Sequence, residues 1–509
     1  MSNQYLIGID IGTSGTKTLL MDQRGSVIKT ALHEYPLHTP KPLWYEQDPL
    51  DWWNAVNITI KAVLKDFPHA KDIKAIGLSG QMHGLVAVDK SGEVVRPCMI
   101  WADLRTGEQC QEVYQKTGGV DGLLKYTNNL MLTGYTGGKI MWFMQNEPAL
   151  FEKTVVCLNP KDFIRYKLTG EFATEVSDAS GTGLLDVKNR KWSYDLIDLL
   201  GIPRNVIPKC YESPEISGKL SKAVAAELGL PEGLPVSGGG GDAVMQATGT
   251  GIIVEGVVGT TIGTGGIVSV SLDKFHDNPG GKLQFYCNNA PGKWHAMGVS
   301  TTVGGAFRWL KDMVGEPEKQ VGQHTGEDVY DIVMREAMRV EAGAEGLLFL
   351  PHLLGQRCPI DDPDTRAAFV GLTLRHTKPH LFRSLLEGVV LSMRDIYDIF
   401  STMGLKARQI RTSGGATKNQ FWQQLQADIF DAEVVTMSGA SHGGAYGAAI
   451  VSGVGVGIYK SVEEAVQVLK VETSVKPNGM QVKKYDKLFP VYQKLYAALK
   501  DTFKQMGGI

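Results

Sequence analysis

The stretch Tyr5–Asp22, YLIGIDIGTSGTKTLLMD, decides how the chain reads. Tyr5–Asp10 alternates toward a buried strand, Gly12–Gly15 supplies a turn rich in glycine and hydroxyls, and Lys17–Met21 returns as a second strand. Such a turn offers backbone N–H groups and the hydroxyls of Thr13, Ser14 and Thr16 to an anion, because glycine lets a ligand approach the main chain closely. Asp10, where the first strand ends, is placed to hold a hydrated Mg2+ beside phosphate oxygens. An ordinary hairpin with a polar turn has the same composition, so the rest of the chain decides between the two.

The proportions of the chain narrow the field. At 509 residues it exceeds one hydrophobic core, and ~100–200 residues per domain gives roughly two to four. Hydrophobic content of 43% and charged content of 21% are those of a globular protein, and a net charge of −2 with mixed signs argues against nucleic acid as the main ligand. Cysteines 98, 110, 157, 210, 287 and 358 lie far apart with no CxxC pair, which fits reduced thiols rather than disulfides or zinc. The N-terminus runs into a strand without a basic leader, and no apolar run approaches spanning length. A cytoplasmic location without a membrane partner is therefore expected.

Outward from the hairpin, Ser26–Tyr35 reads as a third strand. Pro42–Trp53, PLWYEQDPLDWW, leads into a helix with Asp48 as N-cap and Pro49 first, carrying Trp52, Val56, Ile60, Val63 and Leu64 at helical spacing. Ile73–Leu78 is a buried strand ending in Ser79-Gly80-Gln81-Met82-His83-Gly84, and Leu85–Asp89 is another. Met99–Arg105 sets Asp103 and Arg105 just past an apolar run, where an ion pair between them is one reading. Leu132–Asn146 begins as a loop and becomes helical at Lys139, Asn159-Pro160 opens a helix that Gly170 stops, and Val236–Asp242 is a strand running into four glycines and an aspartate. Val257–Ser271 repeats the opening as strand, Gly/Thr turn and strand, a weak internal duplication. Thr302–Asp312 holds a helix N-terminus, Pro379–Met403 is a long amphipathic helix, and Ile410–Asn419 is a strand entering Ser413-Gly414-Gly415-Ala416. Gln420–Phe430 is a helix, and Ala440–Ile450 is a Gly/Ala-rich one suited to close packing. Strands alternating with helices make the class α/β.

Three Gly/hydroxyl turns, at Gly12–Thr16, Gly263–Gly266 and Gly414–Ala416, each follow an apolar strand, and Asp10 and Asp242 stand at strand ends. Together they point to a nucleotide held between two lobes. There is no GxxxxGK[ST] run and no protein-kinase motif set. Each residue also has a plainer use. Asp242 can cap its helix, Met82 can pack in a core, His83 can be a satisfied loop histidine, and Arg308 can be a helix-surface charge. Lys17 and Lys161 are read as structural or surface residues, and Trp44, Trp52 and Trp53 as core plus wall.

The runs Gly134-Tyr-Thr-Gly-Gly-Lys139-Ile-Met-Trp142-Phe-Met-Gln145-Asn146 and Ala367-Ala-Phe-Val-Gly371-Leu372, the second followed by His380-Leu381, Ser384 and Glu387, carry a specific resemblance. The chain resembles the FGGY family of sugar kinases over about residues 4–500. That resemblance implies two RNase H-like domains of the actin/hexokinase superfamily, residues 1–250 and 251–509, with the active site in a cleft between them. It also implies phosphorylation of a sugar by ATP with Mg2+. Within the family, PLWYEQDPLDWW, SGQMHG at 79–84, the WxDxR at 101–105 and NPKDFIRYKLTGEFAT at 159–174 are similar to the xylulokinase branch. The implied reaction is phosphorylation of D-xylulose at O5. Ribulose, xylitol, another pentulose or gluconate is the alternative, and a non-catalytic sugar/ATP sensor a more distant one.

By the same resemblance Asp242 is the catalytic base, and Asp10 is the catalytic carboxylate that holds the metal, directly or through water. Gly12, Thr13, Ser14, Thr16, Gly263, Thr264 and Gly265 would cradle phosphates, Gly304 and Arg308 line the nucleotide channel, and Gly415, Ala416 and Asn419 form the adenosine site. Met82 and His83 would border the sugar, with Asp103 and Arg105 as further substrate-binding candidates. The implied partners are a small-molecule sugar and ATP, and a homodimer is frequent in the family. Three departures stand out: Ala243 where xylulokinases often carry Asn, GTGG at 263–266 where GTSG is common, and Gly355-Gln-Arg-Cys-Pro359 in place of a GER[TC]P-like run. Ala243 removes a polar contact, and an unpaired substrate hydroxyl costs roughly 1–3 kcal/mol.

Overall fold

The opening hairpin forms where its alternation puts it. In the computed structural model, which describes residues 3–506 apart from the side chains of residues 416 and 418, β1 (Tyr5–Ile11) pairs antiparallel with β2 (Gly15–Asp22). Asp10 lies opposite Lys17, and Ile11 opposite Thr16. β3 (Val27–Glu34) extends the antiparallel side, and β4 (Ile73–Gly80) pairs parallel with β1, which sets Ser79 beside Asp10. With β5 (Ile216–Lys219), β6 (Pro235–Ser237) and β7 (Gly240–Gly241) the sheet has seven strands in the order β5-β6-β4-β1-β2-β3, β7 also pairing with β4.

Both faces of this sheet are covered, for different reasons. Ile7, Ile9, Ile11 and Leu20 meet Trp52, Val56, Ile60 and Val63 of the helix Pro49–Leu64 in one buried cluster. Each such side chain contributes about 1.5–3 kcal/mol on burial. That helix starts where the sequence predicts, with Pro49 first and the Asp48 carboxylate accepting from the Leu50 N–H at 2.9 Å. Against the opposite face the helix Gly444–Gly455 comes in at backbone contact. A Cβ at Gly8 would stand 1.8 Å from the Ala445 carbonyl oxygen, and one at Gly77 1.9 Å from that of Ala448. Only glycine fits at either strand position.

Contacts divide the chain into two units. The first comprises residues up to Val254 with Ser271–Ala296 and Gly439–Lys470, and the second Glu255–Val270, Met297–Ser438 and the residues from Val471 on. In the second unit β8 (Val257–Ile262) pairs antiparallel with β9 (Gly266–Leu272) and parallel with β10 (Gln409–Gly414). β10 pairs parallel with β11 (Glu433–Met437), which is antiparallel to β12 (Val471–Val475). A hairpin whose first strand takes a parallel partner therefore occurs twice, as the internal duplication predicts. The fold is the expected α/β class with mixed sheets and helices.

Some boundaries differ from the sequence reading. The helix expected from Ala440 begins at Gly444, because Gly443 sits at φ 59° and ψ −140°, outside helical geometry. The strand expected over Val236–Asp242 is split into β6 and β7 by Gly239 at φ 73°, where a Cβ would meet the Leu78 carbonyl oxygen at 2.3 Å. The helix expected from Lys139 starts at Thr136. Asn159 stands at an N-cap, but its amide instead donates to Gly84 O at 3.0 Å and Thr136 Oγ1 at 3.2 Å. Among the described residues no disulfide joins any of the six cysteines, and no helix is long and apolar enough to cross a membrane.

Candidate active site

The first unit gathers two aspartates around one strand end. Alternation along β1 sends Ile7, Ile9 and Ile11 to the apolar face and Gly8 and Asp10 to the face under the helix Gly444–Gly455. At that helix's N-terminus a Cβ on Gly444 would lie 2.9 Å from Asp10 Oδ1 and 2.2 Å from Ser79 Oγ. The end of a helix that favours negative charge thus rests on the carboxylate. Ser79 donates to Asp10 Oδ1 at 2.7 Å. Burial raises the Asp10 pKa, while the Ser79 hydroxyl and Lys17 pull it back down.

Asp242 arrives from the other side of β4. Gly240 and Gly241 pair with Ser79 and Gly80, and a Cβ on Gly241 would be 2.6 Å from the Met82 side chain, so the glycine run is pressed flat on β4. Asp242 is the first residue of the helix Asp242–Gly249, and its Oδ1 accepts from the Ala243 N–H at 2.8 Å. Desolvation, reinforced by the negative charge of Asp10 and opposed by the Ala243 amide, pushes its pKa up to about 7. The negative charge of Asp10 raises the proton affinity of Asp242, and a dication held at Asp10 would relieve it. Ser79 occupies one Asp10 oxygen, and Oδ2 is left to a cation. Among the described residues no cluster of three or more His, Cys, Asp or Glu side chains could hold a metal. The residues fit an ion that keeps most of its water and takes one protein carboxylate, the usual manner of Mg2+ beside phosphates.

The turn after β1 is held by side chains. The Tyr35 hydroxyl donates to Gly12 O, Trp101 Nε1 to Thr13 Oγ1 at 2.8 Å, and Gln47 Nε2 to Thr13 O at 2.8 Å. Thr13 Oγ1 faces Gln81 Oε1 at 3.4 Å, and Gln81 in turn donates to Gln47 at 2.8 Å. The Thr13 hydroxyl is thus already engaged, Ser14 is exposed, and Thr16 is fully buried within β2. Thr16 is not brought to the surface of the turn, contrary to the expectation from sequence. Strand alternation, which also buries Thr18, carries the signal for that.

Near the glycine run, Met82 is buried and His83 takes φ 69°, with Nδ1 2.6 Å from Gly181 O and its ring stacked 4.5 Å from Tyr135. Beneath them lies Lys139, which the sequence reading left without a role. Its Nζ is fully buried and donates to His83 O at 2.8 Å, Ile100 O at 2.7 Å and Gly134 O at 2.6 Å. Burial lowers its pKa to about 7, but three carbonyl acceptors need three N–H donors, and only the ammonium has them. Asp103 and Arg105 are tied to each other, at 2.8 Å through Nε and 2.6 Å through Nη2. Arg105 also reaches Glu46 at 2.7 Å and lies 3.5 Å over the Trp44 ring, and Asp103 accepts from the Tyr45 N–H at 2.8 Å. Both side chains are buried in this network, which braces the loop. Lys161 is buried among acids, not a surface residue.

The second unit presents its turn through the backbone. Gly263 and Thr264 are exposed at the end of β8. The N–H groups of Gly304 and Gly305 donate to Gly263 O and Thr264 O, each at 2.9 Å, and Val303 N–H shares Thr264 O at 2.9 Å. A Cβ on Gly304 would stand 2.3 Å from Gly263 O, which is why glycine opens the helix Gly304–Val314. Gly265 packs on the Ser300 carbonyl, and Arg308 is exposed on the helix. After β10, Gly414 takes φ 79°, Gly415 is exposed, and the Ala416 side chain lies outside the described ones. Asn419 Oδ1 caps the helix Gln420–Phe430 by accepting from Phe421 N–H at 2.9 Å, which leaves its amide N–H2 for a ligand.

Comparison with known proteins agrees with the fold. The FGGY family of carbohydrate kinases matches with its N-terminal domain over residues 5–249 and its C-terminal domain over residues 258–456. A xylulose kinase of Bacillus subtilis is 35% identical over 503 residues, 98% of each chain. Among solved structures, xylulose kinase from Rhodospirillum rubrum superposes with a TM-score of 0.90 at 28% identity, over 98% of this chain and 100% of that one. Gluconate kinase from Lactobacillus acidophilus gives 0.90 at 26% identity, over 99% and 100%.

Proposed function

The chain belongs to the FGGY family of carbohydrate kinases, and from that premise we propose that it transfers the γ-phosphoryl group of ATP to the O5 hydroxyl of D-xylulose, giving D-xylulose 5-phosphate and ADP in the cytoplasm. The observation that carries the reading is Asp242 beside Asp10, with its pKa pushed up to about 7. A base works best when its pKa lies near the operating pH. Asp242 takes the O5 proton as that oxygen bonds to the γ-phosphorus and the bridging oxygen leaves with ADP. Mg2+ bound to Asp10, directly or through water, would supply neutralising charge at the phosphate oxygens. Thr13 and Ser14 on one turn and Thr264 and Gly265 on the other are read as main-chain donors to phosphates, with Gly12 and Gly263 closing those turns through their own N–H groups, on Gly15 O at 3.1 Å and Gly265 O at 2.9 Å. Gly304 and Arg308 are read as lining the nucleotide's path, and Gly415 and Asn419 as adenosine contacts. Met82 and His83 are read as the sugar side of the site.

General-base action is worth about 10²–10⁴ in rate. Asp242→Ala is therefore expected to keep ATP affinity and lose kcat by at least about a hundredfold, and near-normal turnover would overturn the assignment. A second reading, gluconate as acceptor, is favoured by the fold match to a gluconate kinase and by the absence of a side-chain amide at Ala243. Sugar-dependent ADP release across ketoses, polyols and aldonates separates the two; xylulose ranking below gluconate would transfer the specificity.

A further inference from the structure

Five ionisable side chains that this chemistry does not use are sealed together in the first unit. Lys161, Asp162 and Arg165 on the helix Pro160–Thr169, with Glu175 and Asp178, have no exposed side-chain surface. Lys161 Nζ is 2.6 Å from Asp162, 3.3 Å from Asp178 and 3.5 Å from Glu175, and Arg165 Nη1 is 2.6 Å from Asp162. A cluster of this kind is often no more stable than apolar packing of the same volume, so stability alone is a weak reason for it. Its outward bonds give a better one. Arg165 Nη1 donates to Ala173 O at 2.6 Å, and Nη2 donates to Gly238 O at the head of the glycine run. Glu175 accepts the Ser177 hydroxyl proton at 2.8 Å, which leaves Ser177 Oγ to accept from the Gly241 N–H at 3.0 Å, one residue before Asp242. The other Glu175 oxygen accepts from Ser177 N–H and Ser213 Oγ, each at 2.8 Å. The short helix Val176–Ser180 that carries Ser177 then delivers Gly181, whose carbonyl holds the His83 ring. A Cβ on Gly181 would stand 2.9 Å from both the His83 ring and Met82 Cε.

We propose that this buried cluster is a positioning device. Through Arg165 and Ser177 it fixes the glycine run that aims Asp242, and through the turn at Gly181 it fixes His83, so that the base and the sugar-side imidazole keep one spacing. Ser177, Glu175 and Arg165 are positioning residues that act through Asp242; the inference rests on the reading of Asp242 as the base. The cluster holds two cations against three carboxylates. Asp178 meets the cluster through Lys161 Nζ, 3.3 Å from its Oδ2, and burial raises its pKa well above the usual carboxylate range.

Two serines on the same short helix make the test. Ser177 Oγ accepts from Gly241 N–H, whereas the bonds of Ser180 Oγ go to Val176 O, to which it donates at 2.6 Å, and to Cys287 N–H, from which it accepts at 3.0 Å. In the full chain, Ser177→Ala should lower kcat at least about tenfold with the KM for ATP within twofold, because small misplacements of a reacting group are costly. Ser180→Ala should lose comparable thermal stability and keep its kcat. Equal kcat per folded molecule in the two variants would reduce Ser177 to a structural role and overturn the proposal. Arg165→Lys keeps the charge but not the forked reach to Gly238 O, and is expected to lower kcat in the same way; if it fails to fold, the serine pair decides alone. Asp242→Ala belongs in the same series. If it retains turnover, the base reading itself has failed; if it is inactive while Ser177→Ala is normal, only the positioning idea falls.

Discussion

The two hairpin turns begin from the same sequence shape and are secured by opposite means. The first, at Gly12–Thr16, is gripped by distant side chains, with Tyr35 on Gly12 O and Trp101 and Gln47 on Thr13. The second, at Gly263–Gly266, is held by amides at the start of one helix, whose approach depends on the missing Cβ of Gly304. The titrating pair, Asp10 and Asp242, belongs to the unit of the first turn. A Gly/Thr turn in a sequence therefore does not say what anchors it. The anchor decides which substitutions it tolerates.

The largest expected effect comes from protons, and it falls on the first unit. Asp242 has an ordinary pKa of 3.8 and is held up to about 7 in the folded chain. Catalysis needs the ionised form, so kcat/KM for the sugar should fall about tenfold per pH unit below about 7 and about a hundredfold by pH 5. Folding runs the other way. A carboxyl that binds its proton more tightly when folded contributes stability fully below about pH 4, and that contribution fades as pH rises through about 7. A flat profile down to pH 5 would remove the carboxylate pair from the chemistry. Next comes Gly304→Val, which drives a side chain into Gly263 O. Overpacking of about 1–3 kcal/mol should raise the KM for ATP about ten- to hundredfold, read by coupled ADP release, with the sugar KM little changed. In the first turn, Tyr35→Phe leaves the Gly12 carbonyl without its donor and should lower unfolding free energy in urea by about 1–2 kcal/mol. Trp101→Phe keeps a ring and loses one N–H, worth about 0.5–1.5 kcal/mol, a few-fold in the KM for ATP. Should Trp101→Phe and Tyr35→Phe both prove silent, the first turn is held by its backbone like the second, and the contrast dissolves.

What the sequence could announce was local. Asp48 and Pro49 mark a helix start, Asn419 and Gln420 another, and the alternation of Tyr5–Asp22 with its glycines gives the hairpin, because each signal lies within a few residues of the element it shapes. The α/β class and the two aspartates were legible for the same reason. Partners far apart along the chain were not. Nothing around Lys161 foretells Glu175 and Asp178, and nothing around Gly241 foretells Ser177, since those bonds exist only after the strands are in register. Asp103 and Arg105 show the ambiguity of a nearby charge pair: spacing alone leaves open a ligand contact or a brace, and burial with Glu46 and Trp44 favours the brace. Gly443 shows a smaller limit. A glycine-rich stretch conceals the residue at which helical dihedrals begin.

The helix laid across Gly8 and Gly77 has a consequence for biosynthesis. Residues Gly439–Lys470 close the face of a sheet whose strands lie within the opening half of the chain. During translation at about 5–20 residues per second, roughly 10–40 s separate the emergence of Asp242 from that of this helix. Until then the strand face at Gly8 and Gly77 lacks the helix that packs on it, so the first unit is complete only after most of the second has been synthesised.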